Sequence, residues 1–317
     1  MKPVHRQPRI SIWQGNAVDV LREMPDNSVN CAVTSPPYWQ LRDYGVSGQI
    51  GLEPTLKDWV ERQLEVFREV RRILREDGTL WVNLGDSYST GPFKPKDLVG
   101  QPWMLAFALR EDGWFLRQDI IWSKPAPMPE SVRDRFTKSQ EYLFLLTKRS
   151  RYYWNMAGAQ ERATGGAHGR GKGTHPKAVS GWASGPISHS AKDHARAKQG
   201  LKDSTKFGRG AGWRNKQNES FSSAVKDVVE TRNRRSVWTI PAEPQSDAHF
   251  AAFPTALVKP CILAGCPEGG IVLDPFAGSG TVGLVARELG CQAWLIELNP
   301  AYIEIAKKRL AQEVLAL

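Results

Sequence analysis

A short stretch near the start of the chain, Ser35-Pro36-Pro37-Tyr38, combines residue types that can hold a reacting group in place. It follows an apolar run typical of a β-strand. Two consecutive prolines cannot continue a sheet, because each lacks a backbone N–H and has a fixed φ. The chain must therefore turn stiffly out of the strand. Such a turn presents a hydroxyl group, a backbone carbonyl and an aromatic ring in fixed positions, which is what positioning catalysis requires.

A second candidate site is the turn in VLDPFAGSGTVG, where Asp274 ends an apolar run and Gly278 and Gly280 let the backbone approach a ligand closely. The helix predicted to follow offers free N–H groups to a carboxylate or phosphate. Glu297 ends the next predicted strand, at the interval where an acid commonly binds two ribose hydroxyls. The pattern matches neither common phosphate-binding motif. A small zwitterion joined to a ribose fits these groups, which indicates S-adenosylmethionine.

The segments that position these turns alternate between strand and helix patterns. Thr55 and Asp58 begin the first long helix as a capping box, and Asp77-Gly78 is expected to end it. The alternation predicts an α/β fold with a doubly wound, mostly parallel sheet, whose ligands bind at the carboxyl ends of the strands. Both candidate turns lie at such ends. The predicted strands cover residues 28–35, 79–86, 116–124, 142–148, 271–274 and 292–297, and helices are predicted at 55–74, 102–112 and 255–265 and after each of the last two strands.

The chain carries a net charge of +10, and all of the excess comes from one segment. Residues 151–235 contain 17 Lys or Arg and 6 Asp or Glu, so the remainder is close to neutral. The segment is rich in Gly, Ser and basic residues and contains scattered aromatic rings, which suits phosphate contact and base stacking. It is predicted to be an insertion that binds a nucleic acid. A solvated linker is the alternative.

Composition also narrows the protein class. No apolar run approaches the roughly 20 residues that a membrane span needs, and the N-terminus lacks the apolar core of a signal peptide, so a soluble, intracellular protein is expected. The four cysteines form no C-x-x-C pair. We expect reduced thiols in the core and no metal site.

Three motifs occur in a fixed order: TSPPYW, then HFAAFPTALVKPCILAGCPEGGIVLDPFAGSGTVG, then IELNPAYIEIAKKRL. Together they resemble the site-specific DNA amino-methyltransferases of the permuted β class, in which the catalytic half precedes the cofactor half. The resemblance covers nearly the whole chain and implies a Rossmann-like fold with a seven-stranded type of sheet. It implies a catalytic half at 1–150, a basic target-recognition insertion at 151–238, and a half that binds S-adenosylmethionine at 239–317.

The same resemblance implies which residues surround the cofactor. Where the family usually has Gly-Asp to receive the adenine amino group, this chain has Gly15-Asn16. An Asn side-chain oxygen can still accept that bond. The implied cofactor-binding residues are Asn16, Phe253, Asp274, Pro275, Phe276, Ala277, Gly278, Ser279, Gly280, Thr281 and Glu297.

The resemblance makes Ser35, Pro36, Pro37 and Tyr38 the predicted catalytic residues. An exocyclic amine of cytosine or adenine is a poor nucleophile, because its lone pair is delocalised into the ring. If Ser35 Oγ and the Pro36 carbonyl each accept one of its N–H bonds, the lone pair is directed at the methyl group of the cofactor. Tyr38 is expected to stack on a base that has been flipped out of the duplex.

The methylated base remains open at this point. Ser before Pro-Pro-Tyr occurs more often in enzymes of this type that methylate cytosine N4, and Asp in those that methylate adenine N6, so cytosine N4 is the favoured prediction. Carbon-5 methylation by a thiolate is disfavoured, because Pro260-Cys261 falls within a predicted helix. Methylation of RNA or of protein glutamine, and DNA binding without turnover, are the remaining alternatives.

Double-stranded DNA is the predicted partner, with the basic insertion contacting phosphates and reading base edges in the major groove. No membrane contact is expected. The resemblance leaves open whether the chain forms a homodimer and whether a cognate restriction endonuclease accompanies it. It implies a cytoplasmic, nucleoid-associated protein of a prokaryote or phage.

Overall fold

The computed structural model describes residues 2–89, 93–162, 231–243 and 253–312. The chain forms two compact units, Met1–Gln160 with Asn233–Leu317 and, separately, Glu161–Arg232. The second unit, Glu161–Arg232, is shorter at both ends than the insertion predicted at 151–238. Most of that insertion lies outside the described residues, so its role in target recognition stays a prediction.

The first unit is built on a nine-stranded sheet, and two further short strands form a separate two-stranded sheet. The strands are β1 (His5–Gln7), β2 (Ile10–Gln14), β3 (Val29–Thr34), β4 (Leu74–Leu84), β5 (Phe115–Ser123), β6 (Gln140–Thr147), β7 (Gln160–Arg162), β8 (Thr231–Asn233), β9 (Val237–Thr239), β10 (Ile271–Asp274) and β11 (Gln292–Glu297).

The nine strands lie in the order β1-β2-β11-β10-β3-β4-β6-β5-β9. β2, β11, β10, β3 and β4 run parallel, so their carboxyl ends meet at one edge of the sheet. β6 runs antiparallel to both β4 and β5. β1 and β9 extend the sheet on its two sides, and neither they nor β2 were predicted. The predicted α/β fold with a large, mostly parallel sheet is confirmed.

Helices cover both faces of this sheet. Alternate strand residues point to opposite faces, and the buried apolar residues accordingly form two clusters. Among the described helices, three in the N-terminal half pack on the sheet in one cluster, and three in the C-terminal half pack on it in the other. The helices are α1 (Ala17–Arg22), α2 (Leu56–Ile73), α3 (Gln101–Glu111), α4 (Thr255–Gly265), α5 (Thr281–Glu288) and α6 (Pro300–Gln312).

Helix α2 begins as predicted but ends earlier. Thr55 Oγ1 accepts from the Asp58 N–H at 3.1 Å, which confirms the predicted cap. The prediction that Asp77-Gly78 ends the helix is wrong, because both residues lie inside β4. The helix ends at Ile73, where the backbone N–H groups of Asn27 and Ser28 donate to its last carbonyls at 3.3 and 2.8 Å. These tertiary bonds replace the glycine cap that the sequence suggested.

All four cysteines are buried and free. Cys261 lies inside α4 with no exposed surface, and burial raises the pKa of its thiol well above the usual value. This confirms its prediction as a core residue and disfavours a thiolate mechanism. Within the described ranges, no helix is long and apolar enough to cross a membrane.

The contact between α4 and β4 gives a test of the core. A Cβ on Gly265 would lie 2.3 Å from Thr79 Oγ1 and 2.9 Å from Trp81 Nε1. We expect Gly265→Ala to lower the free energy of unfolding by about 1–3 kcal/mol, as overpacking does. Gly269→Ala is the matched control, since it lies at a φ of +72° with no atom within 4 Å of its Cβ and suffers only backbone strain. Urea denaturation gives the free energy of unfolding of both variants. If Gly269→Ala lowers it more than Gly265→Ala does, this packing is contradicted.

Candidate active site

A deep cleft opens at the carboxyl edge of the parallel strands. It holds about 1040 Å³ of space, counting its open mouth. Its walls come from the chain after β2, β3, β10 and β11 and from a loop at residues 42–50. The predicted site residues that line it are Asn16, Ser35, Pro37, Phe253, Pro275, Phe276, Ala277, Gly278, Ser279, Thr281 and Glu297, whereas Pro36, Tyr38, Asp274 and Gly280 do not.

The turn from Pro275 to Thr281 forms one wall. Gly280 caps helix α5 in the left-handed conformation with φ +79°, and a Cβ there would lie 3.3 Å from side-chain atoms of Ala306 and Leu310. Glycine is therefore needed at this position both for its backbone angle and for the close approach of α6. Its role is to shape the turn, since Gly280 itself does not face the cleft.

Asp274 lies behind this turn with 1% of its surface exposed. Its Oδ1 accepts from Thr34 Oγ1 at 2.7 Å and from the Phe276 N–H at 3.0 Å. Burial raises the pKa of this carboxyl to about 7. The resemblance implied that Asp274 is among the cofactor-binding residues, and this stays a prediction. In the structure its carboxylate joins the end of β3 to the turn after β10.

Glu297 faces the cleft and connects it to the same turn. Its Oε2 accepts from the Gly278 N–H and its Oε1 from the Asn299 N–H, both at 2.8 Å. Burial raises the pKa of this carboxyl too. Each oxygen of a carboxylate can accept a further hydrogen bond. Glu297 can therefore hold this wall in shape and still bind two hydroxyl groups.

Asn16 stands at the start of α1, on the other side of the cleft. Its Oδ1 accepts from the Val18 N–H at 2.9 Å, which caps the helix, and its Nδ2 donates to the Gly48 carbonyl at 3.4 Å. One lone pair of Oδ1 is left for a ligand. This arrangement is consistent with the predicted contact to an adenine amino group.

The loop at residues 42–50 lies against the segment that follows β11. Its Tyr44 packs edge-on against Tyr302 with ring centroids 6.1 Å apart, and the Tyr44 carbonyl accepts from Asn299 Nδ2 at 3.4 Å. The loop is therefore part of the cleft wall. The lining residues that the sequence did not predict are Gly15, Ala17, Arg42, Tyr44, Val46, Gly48, Gln49, Ile50, Leu298, Asn299 and Tyr302.

The Ser-Pro-Pro-Tyr turn is anchored on α2. The Pro37 carbonyl accepts from Trp59 Nε1 at 2.9 Å and from Gln63 Nε2 at 3.3 Å. No described residue donates a hydrogen bond to the Pro36 carbonyl. The Pro36 carbonyl, which was predicted to bind the substrate amine, therefore has no hydrogen-bond partner in the described part of the chain.

Tyr38 is half-buried, and its hydroxyl group bonds to a cluster of polar side chains that the sequence did not predict. Its Oη donates to Glu141 Oε2 at 2.9 Å and accepts from Asn83 Nδ2 at 3.2 Å. The ammonium of Lys124 binds the other oxygen of Glu141. Stacking of the Tyr38 ring on a base remains a prediction. The position of its hydroxyl group is fixed by the hydrogen bonds to Glu141 and Asn83.

Arg309 is a further residue that sequence reasoning missed. From α6 it donates to Ser279 Oγ at 2.9 Å and to Thr281 Oγ1 at 2.8 Å, and both hydroxyls line the cleft. Its position in a basic helical stretch, KKRL, gives no local signal of this contact. A positive charge thus lies beside the turn that is predicted to receive the carboxylate of the cofactor.

The chain is similar to known DNA methyltransferases over most of its length. A family model for DNA methylases of the N6/N4 type matches residues 29–308. The Type II methyltransferase M.Cfr9I of Citrobacter freundii is 41% identical, over 96% of this chain and 88% of its own. M.SmaI of Serratia marcescens is 39% identical, over 93% and 89%. The chain belongs to the N6/N4 DNA methylase family.

Solved structures agree with the fold of this family. The PvuII DNA methyltransferase, described as cytosine-N4-specific, matches with a TM-score of 0.65 at 17% identity, over 97% of this chain and 88% of its own. A DNA modification methylase of Thermus thermophilus, solved in complex with S-adenosylmethionine, matches with a TM-score of 0.59 at 26% identity, over 98% and 95%. The family uses S-adenosylmethionine, so the predicted cofactor is confirmed.

The buried carboxyl of Asp274 gives a prediction for pH. Its pKa is about 7 in the folded chain and about 4 when unfolded, so the folded state binds the proton more tightly and loses stability as the pH rises between these values. Asp274→Asn keeps an oxygen acceptor and does not titrate. We expect the stability of the wild type relative to this variant to fall from about pH 5 to pH 8, measured by urea denaturation. A difference that stays constant with pH contradicts the raised pKa.

Proposed function

We propose that this DNA methylase transfers a methyl group from S-adenosylmethionine to the exocyclic N4 of a cytosine flipped out of duplex DNA. The observation that carries the proposal is the position of Ser35. Ser35 lines the same cleft as Glu297 and the turn at 275–281, directly after β3. A substrate amine and a methyl donor can therefore meet in one cleft.

The residues of the cleft fit this cofactor. Glu297 keeps one free lone pair on each oxygen for the ribose hydroxyls, and Asn16 keeps one for the adenine amino group. The hydroxyls of Ser279 and Thr281, with Arg309 behind them, suit the carboxylate of the methionine part. When bound, S-adenosylmethionine supplies a methyl group on a positively charged sulfur.

The Ser-Pro-Pro turn activates the amine by orientation. Ser35 Oγ and the Pro36 carbonyl each accept one N–H of the amino group, which turns the nitrogen lone pair out of conjugation with the ring. The nitrogen then forms the new N–C bond, the methyl–sulfur bond breaks with its electron pair left on sulfur, and one proton leaves the nitrogen for water or Ser35. Because the turn is anchored on α2 through Trp59 and Gln63, these acceptors do not need to reorganise during the reaction.

The choice of cytosine over adenine rests on Ser35 at the first position of the motif. A hydroxyl group can accept one N–H bond without adding a negative charge to the site. Recognition of the DNA sequence by the basic insertion remains a prediction from the resemblance, which leaves a homodimer and a cognate restriction endonuclease open.

The modified base can be identified directly. Duplex DNA is incubated with the protein and S-adenosylmethionine, digested to nucleosides and analysed by mass spectrometry. We expect N4-methylcytosine. N6-methyladenine alone contradicts the choice of base and leaves the reaction type intact, whereas methylation of RNA or protein in preference to duplex DNA contradicts the choice of acceptor.

Ser35→Ala tests the role of the hydroxyl group. Removing one of the two acceptors is expected to lower kcat by about 10²–10³-fold, because the amine is no longer oriented in the transition state. The dissociation constants for S-adenosylmethionine and for duplex DNA, measured by calorimetry and fluorescence anisotropy, should change less than about threefold. A variant that keeps full kcat shows that Ser35 does not bind the amine.

A further inference from the structure

The polar cluster behind Tyr38 joins three parts of the chain. Tyr38 follows β3, Asn83 is near the end of β4, and Glu141 is near the start of β6. Because β6 is antiparallel to β4, its start lies at the carboxyl edge of the parallel strands. Glu141 is the centre of the cluster, with 16% of its side chain exposed, and its Oε2 accepts from both Tyr38 Oη and Asn83 Nδ2, at 2.9 and 2.8 Å.

The direction of each hydrogen bond in this cluster is determined by its chemistry. A carboxylate has no hydrogen to give, so the single hydroxyl hydrogen of Tyr38 goes to Glu141. Asn83 Nδ2 is also a donor, at 3.2 Å from Tyr38 Oη. Ser35 Oγ lies 3.5 Å from the same oxygen, so in this contact Ser35 must be the donor. With its only hydrogen pointing at Tyr38, Ser35 presents lone pairs elsewhere.

This direction matters for an amine substrate. The amino group offers two N–H bonds, which need acceptors, and a lone pair, which must stay free to attack the methyl group. A Ser35 hydroxyl that donated to the nitrogen would occupy this lone pair and block the reaction. A hydroxyl whose hydrogen already points at Tyr38 can only accept from the amine.

We propose that Glu141 is a positioning residue that acts through Tyr38 to fix Ser35 as a hydrogen-bond acceptor for the amino group of the substrate. The inference rests on the proposed function, since it concerns how the amine is oriented. Glu141 does not line the cleft itself. Its effect reaches the cleft by way of two hydrogen-bonded hydroxyl groups.

Lys124 fixes the orientation of Glu141. Its ammonium binds Glu141 Oε1 and lies 4.4 Å from the centre of the Trp122 ring, so the carboxylate is held from the side opposite Tyr38. Burial and the nearby charge of Glu141 raise the pKa of Tyr38 well above its usual value. The Tyr38 hydroxyl therefore keeps its hydrogen and remains a donor.

The main test is Glu141→Gln, which preserves the shape of the side chain. The Lys124 ammonium attracts the amide oxygen, so the amide NH₂ faces Tyr38 and Asn83 and can no longer accept the Tyr38 hydrogen. Asn83 Nδ2 is itself a donor to Tyr38 Oη, so the Tyr38 hydrogen then points at Ser35 Oγ. We expect kcat to fall about 10- to 100-fold, as misorientation of a positioned group does. Dissociation constants for S-adenosylmethionine and duplex DNA should stay within about twofold of the wild type.

A second substitution separates this effect from a loss of structure. Adding Lys124→Met to Glu141→Gln removes the ammonium, so the amide can rotate and offer its oxygen to Tyr38. We expect this double variant to recover at least about threefold in kcat over Glu141→Gln alone. If Glu141 were only structural, loss of a second partner would lower activity further. In a Tyr38→Phe background, Glu141→Gln should cause no additional loss, because the connecting hydroxyl is absent.

Glu76→Gln is the matched control. Glu76 also pairs with a lysine, Lys148 at 2.8 Å, but it lies near the start of β4, at the opposite edge of the sheet. Its kcat should stay within about twofold of the wild type. Full activity of Glu141→Gln, or a loss that Lys124→Met deepens, overturns the inference alone. A wild type that methylates no exocyclic amine overturns the proposed function together with it.

Discussion

The site depends on one buried hydrogen bond, from Thr34 Oγ1 to Asp274 Oδ1, between residues 240 positions apart in the chain. β3 and β10 pair through only two pairs of residues, Cys31 with Val272 and Ala32 with Leu273. Beyond these pairs the two chains separate into the turns that form the cleft. The bond joins them at this point, so it sets how far the amine-binding turn lies from the cofactor-binding turn. Each turn is stiff by itself, and this contact places the end of one beside the start of the other.

Carboxylates that accept several hydrogen bonds recur along this edge of the sheet. Asp274, Glu297 and Glu141 are carboxylates that each accept at least two hydrogen bonds from adjoining segments. Burying a carboxylate is costly unless such bonds compensate, and burial raises the pKa of Asp274 and Glu297. The three carboxylates differ in whether an oxygen lone pair remains available to a ligand. Glu297 faces the cleft with unused lone pairs, whereas Asp274 is enclosed and Glu141 acts from behind Tyr38.

Local signals in the sequence predicted much of this arrangement, and tertiary contacts explain what they missed. Strand and helix alternation was sufficient for the fold class and for six of the nine strands, whereas β1, β2 and β9 were missed. Thr55 with Asp58 was sufficient for the start of α2, because a cap involves neighbouring residues. The end of α2 was mispredicted because Asn27 and Ser28, far away in sequence, supply its last hydrogen bonds. In the site, the glycine turn and Ser35 could be read locally. Asp274 was predicted from its position at the end of a strand. The hydrogen bond from Thr34 could not be predicted, because Thr34 lies 240 positions away in the chain.

Glu141 could not be predicted by the rule that ligands lie at the carboxyl ends of strands, because it lies near the beginning of one. The rule assumes parallel strands. β6 is antiparallel to β4, so its first residues share an edge with the last residues of β4 and β3. Any residue near the start of an antiparallel strand in such a sheet is therefore as close to the site as a residue at the end of a parallel one. Because β6 is reversed, Glu141 lies behind the Ser-Pro-Pro-Tyr turn, where it binds Tyr38. Parallel strands alone would place no residue of β6 there.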